Sequence, residues 1–155
     1  MGVFRASTMI SAPVSTVWDF IILPGNLHLW GPYTQPASGA DHPLQTGDRL
    51  TLSRRDFLRN TTQVLLVEQV IPYHSFELRD LSPMARRMNV TATIRVEAGK
   101  DRETTWIEEA IFYSPGKNRV VQWLDRRLIN PLLQPLASYG TQKAFRRLQA
   151  AIHNR

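Results

Sequence analysis

The chain has 155 residues and a mass of 17.8 kDa, close to the commonest size of one domain, so residues 1–155 are read as a single domain without a separate cofactor module. It contains no cysteine, which excludes disulfides, thiolate metal sites and cysteine nucleophiles; hydrophobic residues at 43% and charged residues at 21% exclude wholesale disorder. The net charge of +6 comes from arginines placed in isolated pairs (Arg54-Arg55, Arg86-Arg87, Arg126-Arg127, Arg146-Arg147) rather than in long basic runs, with no zinc-finger, basic-zipper or RNP signature, which argues against nucleic acid as a partner and leaves room for weak contact with an anionic membrane.

No stretch approaches the roughly 20 apolar residues of a membrane span, and the MGVFRASTMI start lacks a basic region followed by an apolar run. The expectation is a cytoplasmic protein. Val3 to Ile10 alternate loosely as a strand and end at Ser11-Ala12-Pro13, where proline suits the opening of a helix. Val14, Val17, Trp18 and Ile21 then recur at helical spacing until Pro24-Gly25, and Asn26 to Trp30 has room for one further short turn. Tyr33 to Thr46, rich in proline, reads as an irregular edge strand plus loop. Five strands follow: Arg49–Leu58, Thr61–Ile71, Ser75–Leu81, Met88–Ala98 and Glu103–Tyr113, separated by Asn60, Pro72, Ser82-Pro83, Gly99-Lys100-Asp101 and the turn after Tyr113. Their short connections imply an antiparallel meander, because parallel neighbours need crossovers of about a dozen residues. Asn118 is a candidate cap for a helix carrying Val121, Leu124 and Leu128, disturbed by Pro131 and Pro135. A long helix then runs to about His153, with an expected inner stripe of Leu133, Leu136, Ala137, Gly140, Ala144, Leu148, Ala151 and Ile152.

The order is strand, two short helices, a run of strands and a long helix. A six- or seven-stranded antiparallel sheet must cover one apolar face, and only the last helix is long enough to do so. A twisted sheet and a straight helix do not stay in contact along their whole length, so this α+β layout leaves room for a cavity between them.

The stretch Ile10-Ser11-Ala12-Pro13-Val14-Ser15-Thr16-Val17-Trp18-Asp19-Phe20, followed by Pro24-Gly25-Asn26-Leu27 and Trp30, resembles the opening of the START-like superfamily with the helix-grip fold. Thr104-Thr105-Trp106 and Asp125-Arg126-Arg127-Leu128-Ile129-Asn130-Pro131-Leu132 fit the same pattern, which spans about Val3 to Ile152 and is most similar to the polyketide cyclase/dehydratase and lipid-transport group of ligand-binding SRPBCC domains. The resemblance implies a curved sheet gripping the C-terminal helix around a hydrophobic cavity for a lipid, polyketide or aromatic compound. It carries over no catalytic residue, because the superfamily has no universal catalytic motif and includes cyclases, passive carriers and chaperone activators.

Among residues with chemistry, Glu108 and Glu109 are adjacent on a strand, so one of them faces the helix; Glu109 shares the more apolar side with Thr105, Ile107, Ile111 and Tyr113. Arg54 shares a face with Leu50 and Leu52 and is expected to point inward, where it would need an anion such as Glu109, Asp56 or a ligand carboxylate. Glu109 and Arg54 are therefore the two candidates for proton transfer or carbonyl polarisation. Trp30, Tyr33, Trp106, Tyr113, Trp123 and Tyr139 combine apolar area with a polar handle and are candidate ligand contacts, with Trp30, Tyr33 and Trp123 at expected entrances. Gly140 and Ala144 on the long helix either allow close helix–sheet approach or leave volume for a ligand. His28, His42, His74 and His153 lack metal-ligand spacing, and no phosphate loop or nucleophile elbow occurs, so neither metal nor cofactor is expected.

The leading expectation is a carrier or sensor of an apolar small molecule, acting as a monomer or a homodimer. The alternatives are a metal-free cyclase/dehydratase-type enzyme using Glu109 or Arg54, and a protein-interaction or chaperone-activator-like module.

Overall fold

The computed structural model describes residues 2–56, 59–114, 116, 119–125, 127 and 130–154. Strand β1 (Gly2–Ile10) runs into the Ser11-Ala12-Pro13 turn, and Pro13, in extended conformation, caps helix α1 (Val14–Ile21) while its carbonyl accepts from Val17 N–H at 3.1 Å. The apolar stripe of α1 buries Val17, Trp18, Phe20 and Ile21. A 3₁₀ turn at Pro24–Asn26 leads into the single-turn helix α2 (Leu27–Trp30).

Six strands form one antiparallel sheet in the order β1-β6-β5-β4-β3-β2, with β2 Arg49–Asp56, β3 Arg59–Ile71, β4 Ser75–Asp80, β5 Thr91–Ala98 and β6 Thr105–Tyr113. The consecutive strands β2 to β6 meander, and β1 returns to pair with β6 along its whole length from Gly2↔Tyr113 to Ile10↔Thr105. Residues 33–46 add only two isolated bridges, Tyr33↔Arg54 and Ser38↔Thr51, so they edge the sheet without becoming a seventh strand. Two prolines in that stretch, Pro36 and Pro43, have no N–H to give to a ladder.

Strand β5 begins at Thr91 rather than Met88, because Pro83–Met88 forms a helix, α3, that the periodicity did not reveal. Its signals lie at its ends: Ser82 at the N-cap, Pro83 in the first turn and Asn89 in the left-handed conformation (φ 48°) at the C-cap, which lets Val90 N–H reach Ala85 O at 3.0 Å. Helices α4 (Arg119–Leu124) and α5 (Asn130–His153) complete the chain. Pro131 falls in the first turn of α5, where its missing N–H costs nothing, and the helix continues through Pro135 with the loss of one backbone bond. Leu58, Asn118 and Leu128 lie outside the described residues, as do the side chains of Asp56, Val121, Leu124 and Leu133.

Helix α5 runs parallel to β1, its early turns beside the start of the strand and its late turns beside the strand's end. Near its C-terminal end, the side-chain oxygen of Gln149 accepts from Ser11 N–H at 2.8 Å, and Arg147 donates to the carbonyls of Gly31 (3.0 Å) and His28 (2.9 Å). Earlier in the helix, Ser138 reaches Arg5 O at 3.5 Å. The stripe that faces the sheet is Ala137, Thr141, Ala144, Phe145 and Leu148. Leu136, expected on that stripe, is 67% exposed, and Gly140 is exposed with open space where a Cβ would stand.

Strand alternation and register define the inner face of the sheet. Where α1 and α2 close one end, Val96, Ile107, Phe76 and Val67 meet Val17, Phe20, Ile21, Phe145 and Leu148, all almost fully buried. The hydroxyl of Thr105 donates to Ala12 O at 2.7 Å and fastens this sealed end. Toward the other end, the inner face is made of Phe4 and Ala6 on β1, Glu109 and Ile111 on β6, and Ala92 on β5, and each of these is only half-buried.

Candidate functional site

Glu109 is where the inner face changes character. It pairs with Ala6 on one side and Ile94 on the other, under α5, so its carboxylate sits on the covered side of two neighbouring strands. Thr141 on α5 donates to Glu109 Oε2 at 2.6 Å, and among the described residues Oε1 has no hydrogen-bond partner. Burial raises the Glu109 pKa above the usual carboxylate range, and the Thr141 hydrogen bond pulls the other way without cancelling it. Glu108, next along the strand, faces the outer surface of the sheet.

Tyr33 is brought to this carboxylate by the chain that follows α2. Gly31 makes that approach feasible: a Cβ there would stand 2.8 Å from both the Leu27 carbonyl and the Tyr33 ring. Burial is the main cause that raises the Tyr33 phenol pKa; the charges of Glu109 and Asp80 raise it further and that of Arg54 lowers it, so its hydroxyl lies within electrostatic reach of all three. Asp80 continues the inward alternation Phe76, Leu78, Asp80 on β4, and Gln63 continues Val67, Leu65, Gln63 on β3. The Gln63 amide donates to Asp80 Oδ2 at 2.6 Å, while Asp80 Oδ1 accepts from Ser82 N–H at 2.8 Å.

A second polar contact closes the far corner. The Tyr113 ring stacks on Phe4 with centroids 5.1 Å apart, and its hydroxyl donates to buried Asp125 at 2.8 Å. Burial, the hydrogen bond to Asp125 and that carboxylate's charge push the Tyr113 phenol up to about 12. Gly2 is required beside it, because a Cβ at position 2 would overlap the Tyr113 ring.

The residues singled out from the sequence separate into three groups. Glu109, Tyr33, Tyr113 and Ala144 lie on the interior. Trp30 is buried at the sealed end, its indole N–H enclosed without a hydrogen-bond partner among the described residues, rather than at an entrance. Trp106 alternates onto the outer face between Met9 and Glu97, while Trp123 (56% exposed), Tyr139 (67% exposed) and Gly140 face solvent. Arg54 shares the inward register of Leu50 and Leu52 but is exposed rather than buried, because it lies near the end of β2 beyond their packed cover. Thr141, Asp80, Gln63 and Asp125 were missed. For the first three the signal is a polar residue continuing an apolar stripe, which is how a lined interior differs from a filled core.

Two surface concavities lie away from this interior. One of about 380 Å³ is on the outer face of the sheet, lined by Arg5, Glu77, Arg95, Glu108 and Phe112 among others, with the Arg5 guanidinium 5.9 Å from the Phe112 ring centre. The other, about 360 Å³, runs between β1 and α5 past Thr8, Ile10, Gln142 and Gln149. Among the described residues no helix is long and apolar enough to cross a membrane.

No family model matches the chain, and no curated protein matches it in sequence. Solved structures do match in shape. Ara h 8.0201 superposes with a TM-score of 0.70 at 8% identity, covering 99% of this chain and 98% of its own. XoxI from Bacillus cereus gives 0.66 at 20% identity, covering 98% and 96%. DynU16, a protein of the dynemicin biosynthetic locus, gives 0.66 at 17% identity over 99% of this chain, which spans 48% of DynU16. The chain has the helix-grip fold. These likenesses set its architecture; the chemistry of the interior has to be read from its own residues.

Proposed function

We propose that this protein is a START-like binder of an apolar small molecule, held between the open end of the sheet and the first half of α5, and that it acts as carrier or sensor. The observation that carries the reading is the residual accessibility of Phe4, Ala6, Ala92, Glu109 and Ile111. These inner-face positions lie on neighbouring strands, and helix α5 covers Glu109; a filled core would leave them as buried as Ile107 and Val96. Apolar walls with a few inward polar groups are the usual lining of a small-molecule site. Native mass spectrometry of protein purified from the cells that make it tests this directly. The native spectrum is expected to carry a small-molecule mass that the denatured spectrum lacks; identical masses, together with failure to bind any added apolar compound, would remove the reading.

A second reading, a cyclase/dehydratase-type enzyme, is favoured by one feature. Desolvation raises the Glu109 pKa, so this carboxyl keeps its proton more readily than a free one and has a proton it can pass to a ligand carbonyl. Turnover of a polyketide-like substrate that is lost in Glu109→Gln while binding persists would select it over the carrier.

A further inference from the structure

Two acceptor oxygens inside the open end, on Gln63 and Glu109, receive no hydrogen bond from the described residues. The Gln63 amide nitrogen donates to Asp80 Oδ2, and because an ionised carboxylate only accepts, that bond fixes which way the amide points. Its oxygen, Oε1, is then left buried with no hydrogen-bond partner among the described residues. Glu109 repeats the pattern. Thr141 serves Oε2, and Oε1 receives nothing from the described residues, although Glu109 lies on the covered face and keeps accessible surface beside it. An acceptor without a donor is destabilising, most of all when buried, so these two oxygens, Gln63 Oε1 buried and Glu109 Oε1 beside accessible surface, ask for a donor from the ligand.

Charge points the same way. Glu109 and Asp80 bring carboxylates to this face, and Arg54, the cation within reach of Tyr33, is exposed near the end of β2 rather than inside. A fatty acid or phosphate ester led in by its head would set acceptors against acceptors and negative charge against negative charge. A hydroxyl or N–H supplies what is missing.

We propose that the interior selects neutral apolar molecules bearing a hydroxyl or N–H donor, with Glu109 and Gln63 as the acceptors that read it, and that it rejects anionic amphiphiles. This inference rests on the ligand-binding reading above and narrows it to a ligand class.

Matched pairs of ligands separate the two. At pH 7.5, isothermal titration with 2-naphthol against 2-naphthoate, and with 1-decanol against decanoate, holds the apolar body constant and changes only the head. Each alcohol is expected to bind at least tenfold tighter than its carboxylate. Glu109→Gln should narrow the ratio severalfold by admitting the carboxylate, and Gln63→Leu should weaken the alcohols severalfold, with thermal melts confirming that both variants are folded. Carboxylates that bind as well as the alcohols would overturn the donor rule while leaving ligand binding intact. If that carboxylate binding disappears in Arg54→Gln, the head is being read at the rim instead. Failure of all four compounds to bind the wild-type protein would remove the ligand-binding reading and this inference with it.

Discussion

At one end of the interior, Val17, Ile21, Val96, Ile107, Phe145 and Leu148 meet with almost no accessible surface. At the other, Phe4, Ala6, Ala92, Glu109 and Ile111 occupy inward positions on the same strands β1, β5 and β6 and keep part of theirs. The difference follows from what covers each end. Helices α1 and α2 and the C-terminal half of α5 converge on the first, tied by Arg147 to the α2 carbonyls and by Thr105 to Ala12. The N-terminal half of α5 leaves Leu136 and Tyr139 in solvent, and among its described side chains those toward the sheet are small or polar, Ala137, Ser138 and Thr141. One half of the domain is built for stability, and the other spends part of that stability on polar groups facing inward.

Truncation at the sealed end should show the largest effect. Leu148→Ala is expected to lower unfolding free energy by about 2–5 kcal/mol in urea denaturation, since a fully buried leucine leaves a cavity its neighbours cannot refill. Loss of less than 1 kcal/mol would mean that this end is as loosely packed as the other. Next is Tyr113→Phe, which strands the buried Asp125 carboxylate without its hydroxyl donor and should cost about 1–3 kcal/mol.

A third change is smaller, and its sign depends on pH. Because the Glu109 pKa is raised in the folded protein, the native state holds its proton more tightly than the unfolded chain does. Stability therefore falls as pH rises from the ordinary carboxylate range through the raised value. Glu109→Gln removes that penalty while keeping an acceptor for Thr141. Its Tm should exceed the wild type's at pH 8, and the difference should shrink toward pH 4; a constant difference would mean that the carboxylate is not desolvated. The smallest effect belongs to Tyr139→Ser, expected within about 0.5 kcal/mol of wild type because the ring is exposed on α5. A larger loss would show that the first half of α5 is packed against something.

Much of this layout was legible in the sequence, because its strands are long enough for a two-residue period to declare itself. The alternation Thr105, Ile107, Glu109, Ile111, Tyr113 turns Glu109 to the same side as Ile107, and the sheet register places it there. Helix α3 was not legible from periodicity: six residues are too few to show a 3.6-residue repeat, and only its terminal residues mark it. The stripe of α5 was misjudged for a related reason. Hydropathy at the first half of the helix places Leu136 inward and leaves Thr141 out, whereas the helix buries Thr141, Phe145 and Leu148 together and leaves Leu136 67% exposed. Arg54 shows the remaining limit: register gives the side of the sheet, but exposure depends on how far the cover extends along the strand.

The contrast between the two ends is tested most directly by methyl NMR of the protein titrated with 2-naphthol. Ala6, Ala92, Ile111 and Ala137 should shift and saturate together, while Val17, Val67, Val96 and Leu148 stay within line width. Shifts spread evenly over both sets, or confined to the outer-face cleft around Phe112, would contradict a ligand space at the open end.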